Sequence, residues 1–263
     1  MTASEPAPPQ VVVHPDTERM ARATAARLIT SLVEAQTARG EASVVLTGGR
    51  NGNALLAALA QAPARDGVDW SRVDLWWGDE RFLPDGDPDR NHTQARRAFL
   101  DAVPLDPARV HPMPASDGPH GDDVEAAAGA YAAELAAAAE RGGHPGDRVP
   151  PFDVLLLGLG PDTHVASLFP DHPAVREDGR TVVGVRNAPK PPPTRISLTL
   201  PALRTAREVW LLAAGEDKAE AAATALAATD PLRTPAAGAR GRSRTLWILD
   251  EAAAAGLPAS ARD

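Results

Sequence analysis

Short runs of β-branched and apolar residues alternate along this chain with longer stretches rich in alanine and leucine, and this alternation constrains the fold more than any other feature. Such alternation is typical of α/β proteins with a parallel sheet. The predicted strands are Gln10–His14, Ser43–Thr47, Val73–Trp77, Phe152–Leu157, Thr181–Val185, Arg195–Leu200, Glu208–Ala213 and Thr245–Leu249. The predicted helices are Asp16–Ala38, Asn53–Ala60, Asn91–Leu100, Asp122–Glu140, Glu216–Ala227 and Asp250–Ala255. We therefore expect a Rossmann-like α/β fold, a mostly parallel doubly wound sheet with helices on both faces.

The chain has 263 residues, which is enough to bury a sizeable core in one domain. The nearly all-apolar run Val154–Leu157 predicts a central strand that is buried on both faces. Segments rich in Pro, Asp and Gly at Val103–Gly121 and Gly142–Pro151 are predicted to be loops, too short to separate domains. We expect a disordered tail over residues 1–9 and a single α/β domain over residues 10–263.

The composition restricts the classes of function. Cysteine is absent, which excludes a disulfide framework, a zinc–thiolate site and a cysteine nucleophile. The net charge of −8 argues against nonspecific binding of nucleic acid, which needs a basic face. No apolar run approaches the ~20 residues that cross a bilayer, and the N-terminus lacks the pattern of a signal peptide. We expect a cytoplasmic protein that binds neither nucleic acid nor membrane, and the oligomeric state is left open.

Three predicted strands end in polar segments that contain glycine, and ligands of open α/β sheets bind at such strand ends. In the first segment, Gly48 and Gly49 let the backbone approach a ligand closely. The helix that follows offers free N–H groups to an anion, and Arg50 adds a positive charge. The alternative interpretation is a tight strand-to-helix turn without a ligand.

In the second segment, Arg81 follows two acidic residues, Asp79 and Glu80. Carboxylates beside a guanidinium group fix its orientation, so that it can bind a phosphate or a carboxylate through two hydrogen bonds. A surface cluster of ion pairs would have the same sequence pattern.

The third segment, Gly158–Pro170, follows the most apolar strand and brings Asp162 and His164 to the same strand end. Histidine titrates near neutral pH, so its imidazole can take a proton from water and return it. A lone histidine is more often structural, but the strand-end position and the nearby acid favour catalysis. A fourth segment, Asn187–Arg195, places Lys190 between prolines that stiffen the backbone; a rigid exposed linker is the alternative.

Together these segments resemble the 6-phosphogluconolactonase family, whose fold is related to that of sugar-phosphate isomerases. The matching runs occur in the family's order and span most of the chain: Leu46–Gly49, Trp77–Pro84 with Asn91 downstream, Gly158–Pro170, Pro189–Pro193 and Arg195–Pro201. Ala214–Lys218 and Pro231–Arg233 are also similar to that family.

The resemblance implies an enzyme of the oxidative pentose phosphate pathway that hydrolyses 6-phospho-D-glucono-1,5-lactone, a phosphorylated sugar lactone, to 6-phospho-D-gluconate. It implies no cofactor and no metal. His164 would be the general base, and either Asp162 or Asp79 would support its imidazole. The groups implied to bind the 6-phosphate or to stabilise the oxyanion are Arg81, Lys190 and Arg195, assisted by the first loop with Gly48, Gly49 and Arg50.

Two departures from the family pattern are notable. The family usually has Asp-Gly-His-Thr where this chain has Asp162-Thr163-His164-Val165. Because Thr163 is β-branched, we expect a negative φ at this position. Many relatives also continue the first loop with Ser-Thr-Pro, whereas Arg50-Asn51-Gly52 stands here.

Two other functions are compatible with a fold of this kind. A sugar-phosphate isomerase or deaminase would continue the histidine segment with a Phe-Asn-Glu-Pro run that supplies a carboxylate. This chain has Ser167–Pro170 instead, and the next acid is Asp171. A non-catalytic sugar-phosphate sensor is the other alternative, although this acidic chain contains no basic recognition helix.

Overall fold

The computed structural model describes residues 8–259. Residues 1–7 of the predicted N-terminal tail therefore lie outside the described part of the chain. The strands are β1 Gln10–His14, β2 Ala42–Leu46, β3 Val73–Trp77, β4 Asp79–Arg81, β5 Val154–Gly158, β6 Val182–Val185, β7 Arg195–Leu198, β8 Glu208–Ala213 and β9 Arg244–Asp250. The α-helices are α1 Thr17–Arg39, α2 Gly49–Gln61, α3 Asn91–Ala98, α4 Val124–Arg141, α5 Leu200–Leu203, α6 Ala219–Ala227 and α7 Pro235–Gly238.

Six strands form the main sheet in the order β1-β9-β8-β5-β2-β3, and every neighbouring pair is parallel. All residues of β2 and β8 are buried. Successive side chains of a strand point to opposite faces, so a strand buried throughout is covered on both sides. The expected α/β architecture with a mostly parallel, helix-covered sheet is confirmed.

A second sheet of three antiparallel strands, in the order β4-β7-β6, was not predicted. The predicted strands at Thr181–Val185 and Arg195–Leu200 belong to it and not to the main sheet. Gly78 joins the two sheets, because its N–H donates to the carbonyl of Leu46 and its own carbonyl accepts from the N–H of Leu198. The chain therefore leaves β3 and enters β4 at the carboxyl edge of the main sheet, which brings β4 and β7 to that edge.

The predicted helix Asp250–Ala255 was wrong. Strand β9 continues to Asp250, and the residues after it form turns. The Asp250 carboxylate accepts hydrogen bonds from the N–H groups of Gly215 and Ala253 and from the hydroxyl of Thr17. These bonds fix the end of the strand, and Gly256 and Pro258 follow too soon for a helix to extend.

Candidate active site

A pocket of about 430 Å³ opens at the carboxyl edge of the main sheet. The loops after β2 and β5, the strand β4 and the proline-rich segment before β7 meet there. Eight of the nine residues singled out from the sequence line it: Gly48, Gly49, Arg50, Asp79, Arg81, His164, Lys190 and Arg195. The ninth, Asp162, is hydrogen-bonded to two of these, so the structure brings the whole set together.

His164 and Asp162 form the central hydrogen-bonded pair of this pocket. Nδ1 of His164 lies 2.5 Å from Oδ1 of Asp162, and the imidazole side chain is 17% exposed. An ionised carboxylate can only accept, so the proton of this bond lies on Nδ1 and the lone pair lies on Nε2. The ring also packs on Phe169, with 4.5 Å between ring centroids. The imidazole is thus fixed in the tautomer that a general base requires.

Lys190 also contacts this pair. Its ammonium group lies 3.0 Å from Oδ1 of Asp162 and 3.4 Å from Nδ1 of His164. Burial would raise the pKa of Asp162, but its hydrogen bonds and electrostatic interactions with His164 and Lys190 outweigh burial and lower that pKa well below its usual value. Asp162 is therefore an anion over the whole neutral range.

The backbone around His164 is tightly turned. Gly160 accepts a hydrogen bond from the Thr163 N–H and donates one to the carbonyl of His164. Thr163 has φ = 67° and Ala166 has φ = 49°. The expectation of a negative φ at Thr163 was wrong: this turn needs a left-handed residue between Asp162 and His164, whatever the side chain, so that both side chains reach one side.

Asp79 has different partners from those that the sequence suggested. Its Oδ2 accepts a hydrogen bond of 2.7 Å from the hydroxyl of Ser167, and its main-chain carbonyl accepts one of 2.8 Å from Nδ2 of Asn91. Asp162 is the carboxylate that contacts His164, and Asp79 lies apart from this pair as a separate acid on the pocket wall.

Arg195 is buried and uses its donors on the backbone. Nε and Nη2 donate to the carbonyls of Lys190, Pro191 and Pro192, and the guanidinium lies 5.6 Å from the centre of the Phe169 ring. Burial lowers the pKa of Arg195, and the neighbouring charge of Asp79 offsets this in part. Arg195 therefore shapes the segment that carries Lys190.

The first loop places the N-terminus of α2 in the pocket. Gly48 is the N-cap, and no side chain caps the helix. The first N–H groups of a helix have no partner within the helix, so here they can donate to a ligand. A Cβ on Gly48 would lie 1.8 Å from Oδ1 of Asn91, so only glycine fits there. Arg50 donates to the carbonyl of Ala214 and to Asp217 and is mostly exposed. This is an arrangement that can bind an anion.

Arg81 on β4 is a further cation of the pocket. Its Nη1 donates to the carbonyl of Asp89, while its N–H donates to Glu80. Glu80 is fully buried and also accepts from the N–H groups of Asn91 and His92, so it joins β4 to the start of α3. Burial raises the pKa of Glu80, and Arg90 and these N–H groups oppose that rise.

Five further lining residues with polar side chains were not proposed as site residues from the sequence: Thr47, Asn51, Asn91, Asp217 and Lys218. All of them except Asn51 belong to the segments that resemble the family, which was the available signal. Asn51 has a buried Oδ1 without a hydrogen-bond partner in the described structure, a property that only coordinates reveal. Within residues 8–259 no cluster of His, Asp or Glu is arranged to hold a metal ion, and no described helix could span a membrane.

Comparison with known proteins finds relatives that share one name, 6-phosphogluconolactonase. A 6-phosphogluconolactonase of Streptomyces coelicolor is 71% identical over 96% of this chain and 96% of its own length. A 6-phosphogluconolactonase of Mycobacterium tuberculosis is 52% identical over 94% of this chain and 98% of its own. The solved structure of 6-phosphogluconolactonase from Trypanosoma brucei superposes with a TM-score of 0.80 at 29% identity, covering 95% of this chain and 99% of that one. The family of glucosamine-6-phosphate isomerases/6-phosphogluconolactonase matches residues 15–247. The chain therefore belongs to the glucosamine-6-phosphate isomerase/6-phosphogluconolactonase family.

Proposed function

We propose that this protein hydrolyses 6-phospho-D-glucono-1,5-lactone to 6-phospho-D-gluconate, with His164 as the general base. The observation that carries the proposal is the His164–Asp162 pair, with its free Nε2, in a pocket that also holds several cations. The high identity to relatives named 6-phosphogluconolactonase supports the same substrate.

The chemistry requires a proton acceptor and charge stabilisation. Nε2 of His164 takes a proton from water as the water oxygen bonds to the lactone carbonyl carbon. The anionic Asp162 stabilises the resulting imidazolium. The imidazolium then returns the proton to the ring oxygen as the bond between that oxygen and the carbonyl carbon breaks. Water is thus added across one ester bond, and no group other than the protein's own is needed for the proton transfers.

In this mechanism we assign to Lys190 the stabilisation of the negative charge that develops on the carbonyl oxygen. Its ammonium group lies beside the imidazole, and the prolines around it restrict its backbone. A fixed cation stabilises a developing oxyanion without reorganisation during the reaction. Arg195 supports this role by holding the carbonyls of residues 190–192.

The 6-phosphate would bind at the N-terminus of α2. The backbone N–H groups after Gly48 and Gly49 and the positive end of the helix dipole favour an anion there. Arg50 and Lys218 line the same pocket and supply two positive charges, and Arg81 supplies a third from β4. A substrate spanning from this helix to His164 would present its lactone carbonyl to the base.

The isomerase or deaminase alternative is less compatible with the site. The first acid after the histidine segment, Asp171, is 66% exposed and pairs with Arg176 at 3.8 Å. It does not line the pocket, so it cannot supply the additional carboxylate expected for ring opening and loss of the amine.

Two assays run in parallel test the proposal: hydrolysis of freshly prepared lactone, corrected for the uncatalysed rate, and deamination of glucosamine 6-phosphate. We expect activity on the lactone alone. Replacing His164 with alanine should lower kcat by about 10²- to 10⁴-fold, the usual contribution of a general base. His144→Ala, a change of an exposed histidine outside the pocket, is the matched control and should have no effect. A loss below tenfold in His164→Ala would reject the base assignment.

A further inference from the structure

Asp79 is a carboxylate on the pocket wall that neutral side chains hold in place. Its Oδ2 accepts the 2.7 Å hydrogen bond from Ser167, and Nδ2 of Asn91 lies 3.5 Å from its Oδ1. Among the described residues no lysine, arginine or histidine nitrogen lies within 4.0 Å of this carboxylate. Its Oδ1 therefore keeps acceptor capacity for a ligand, because an ionised carboxylate offers about four lone-pair positions.

Ser167 links the loop of His164 to both strands beside it. The residue is completely buried, and its N–H donates to the hydroxyl of Ser197 on β7. Ser167 itself lies in a turn that is closed by a hydrogen bond from the Leu168 N–H to the carbonyl of Val165. The Ser167 hydroxyl has one proton, and this proton goes to Asp79 on β4. The bond thus fixes the carboxylate relative to the imidazole three residues earlier.

Two cations would attract Asp79 if this bond were absent. Arg195 lies opposite Arg81 in the register of β7 and β4, and Asp79, two residues before Arg81, shares the same face of β4. The charges of Asp79 and Arg81 both act on the pKa of Arg195. A carboxylate that turned to pair with either arginine would lose its orientation toward the pocket and would neutralise a cation of the site. The serine hydroxyl holds Asp79 without adding a charge.

We propose that Ser167 is a positioning residue for substrate binding, which holds the Asp79 carboxylate so that its free oxygen accepts a hydrogen bond from a hydroxyl group of the sugar. The inference rests on the proposed function, since it assumes a polyhydroxylated substrate in this pocket. A sugar hydroxyl is present both before and during ester hydrolysis, so the contact stabilises the ground state and the transition state alike.

A double-mutant cycle tests this role. Ser167→Ala should raise KM for the lactone by about tenfold and change kcat less than twofold, as expected for loss of uniform binding. Asp79→Asn should also raise KM, and Ser167→Ala added to it should change KM less than twofold further, because the serine acts only through the carboxylate. Ser167→Thr keeps the hydroxyl and should restore KM to within threefold of the unmodified protein.

Controls separate this role from a general effect on the fold. Ser43→Ala changes another buried serine, whose hydroxyl has no hydrogen-bond partner among the described residues, and should leave KM unchanged. Additive effects of the Ser167 and Asp79 changes on KM, or an unchanged KM in Ser167→Ala, would overturn the inference.

The same cycle on binding of 6-phosphogluconate, measured by calorimetry, separates failure of the inference from failure of the proposed function. If the Ser167 and Asp79 changes weaken 6-phosphogluconate binding non-additively in a protein without lactonase activity, the role of Ser167 is kept and the proposed hydrolysis is rejected. If the protein hydrolyses the lactone but the two changes are additive, the proposed function is kept and the role of Ser167 is rejected. A protein that neither binds nor hydrolyses would reject both.

Discussion

Replacing Gly160 with alanine adds one methyl group where the backbone passes closest to the His164–Asp162 pair. A Cβ at this position would lie 1.9 Å from Nδ1 of His164 and 2.5 Å from Oδ1 of Asp162. The shorter of these distances is about 1.5 Å less than an ordinary van der Waals contact. The φ of Gly160 lies outside the left-handed region, so alanine is permitted by the backbone and only the available space opposes it.

The imidazole must move by about the missing distance, because the methyl group and the backbone cannot. A displacement of about 1 Å in a catalytic group lowers rates by about 10²-fold. We therefore expect Gly160→Ala to lower kcat/KM for the lactone by about 10²-fold. The side chain that moves is partly exposed, so we expect the free energy of unfolding to change by no more than about 1 kcal/mol.

Gly129→Ala is the matched control for this experiment. Gly129 lies in α4, and a Cβ there would have no atom within 4 Å. Alanine should raise the free energy of unfolding by about 0.5–1 kcal/mol through helix propensity and leave kcat/KM unchanged. Steady-state kinetics and urea denaturation of both variants give the two quantities. A kcat/KM of Gly160→Ala within threefold of that of the unmodified protein would refute the placement of the imidazole. If the variant is unfolded, the loss of activity is due to loss of the fold.

Three further predictions concern stability. Thr163→Gly should raise the free energy of unfolding by about 1 kcal/mol, since relief of strain at φ = 67° exceeds the entropic cost of glycine; a lower melting temperature would contradict this. Tyr131→Phe should lower it by about 1–2 kcal/mol, because the tyrosine hydroxyl accepts from the buried N–H of Trp77; urea denaturation measures the change, and an unaltered midpoint would count against it. Burial would lower the pKa of His111, but hydrogen bonds and the charges of Asp74 and Glu134 raise it overall. The protonated His111 therefore stabilises the folded state fully below about pH 6.5, and this stabilisation is lost as pH rises through the higher folded pKa. The free energy of unfolding of the unmodified protein should thus fall more between pH 6 and 8 than that of His111→Gln.

The order of most strands and helices could be read from the sequence because local patterns encode it, but strand β4 and the short helices α5 and α7 were not predicted. The run Val154–Leu157 is apolar without alternation, and it forms most of β5, a central strand buried on both faces. The strand-end segments were also readable, since glycine and polar residues interrupt the apolar pattern there. Asp162 and His164 are two residues apart, so the sequence spacing put them at the same strand end, whereas their hydrogen bond also depends on the turn at Thr163.

The tertiary structure decided what depends on contacts between distant segments. The contact of Lys190 with Asp162 joins residues 28 positions apart, and the bond of Ser167 to Asp79 joins residues 88 apart. No local pattern specifies such pairs, because they result from the register of a second, antiparallel sheet and from the junction at Gly78. The positive φ of Thr163 has the same origin. Side-chain preference opposes that conformation, and the packed surroundings impose it because their many contacts outweigh a local strain of about 1–3 kcal/mol.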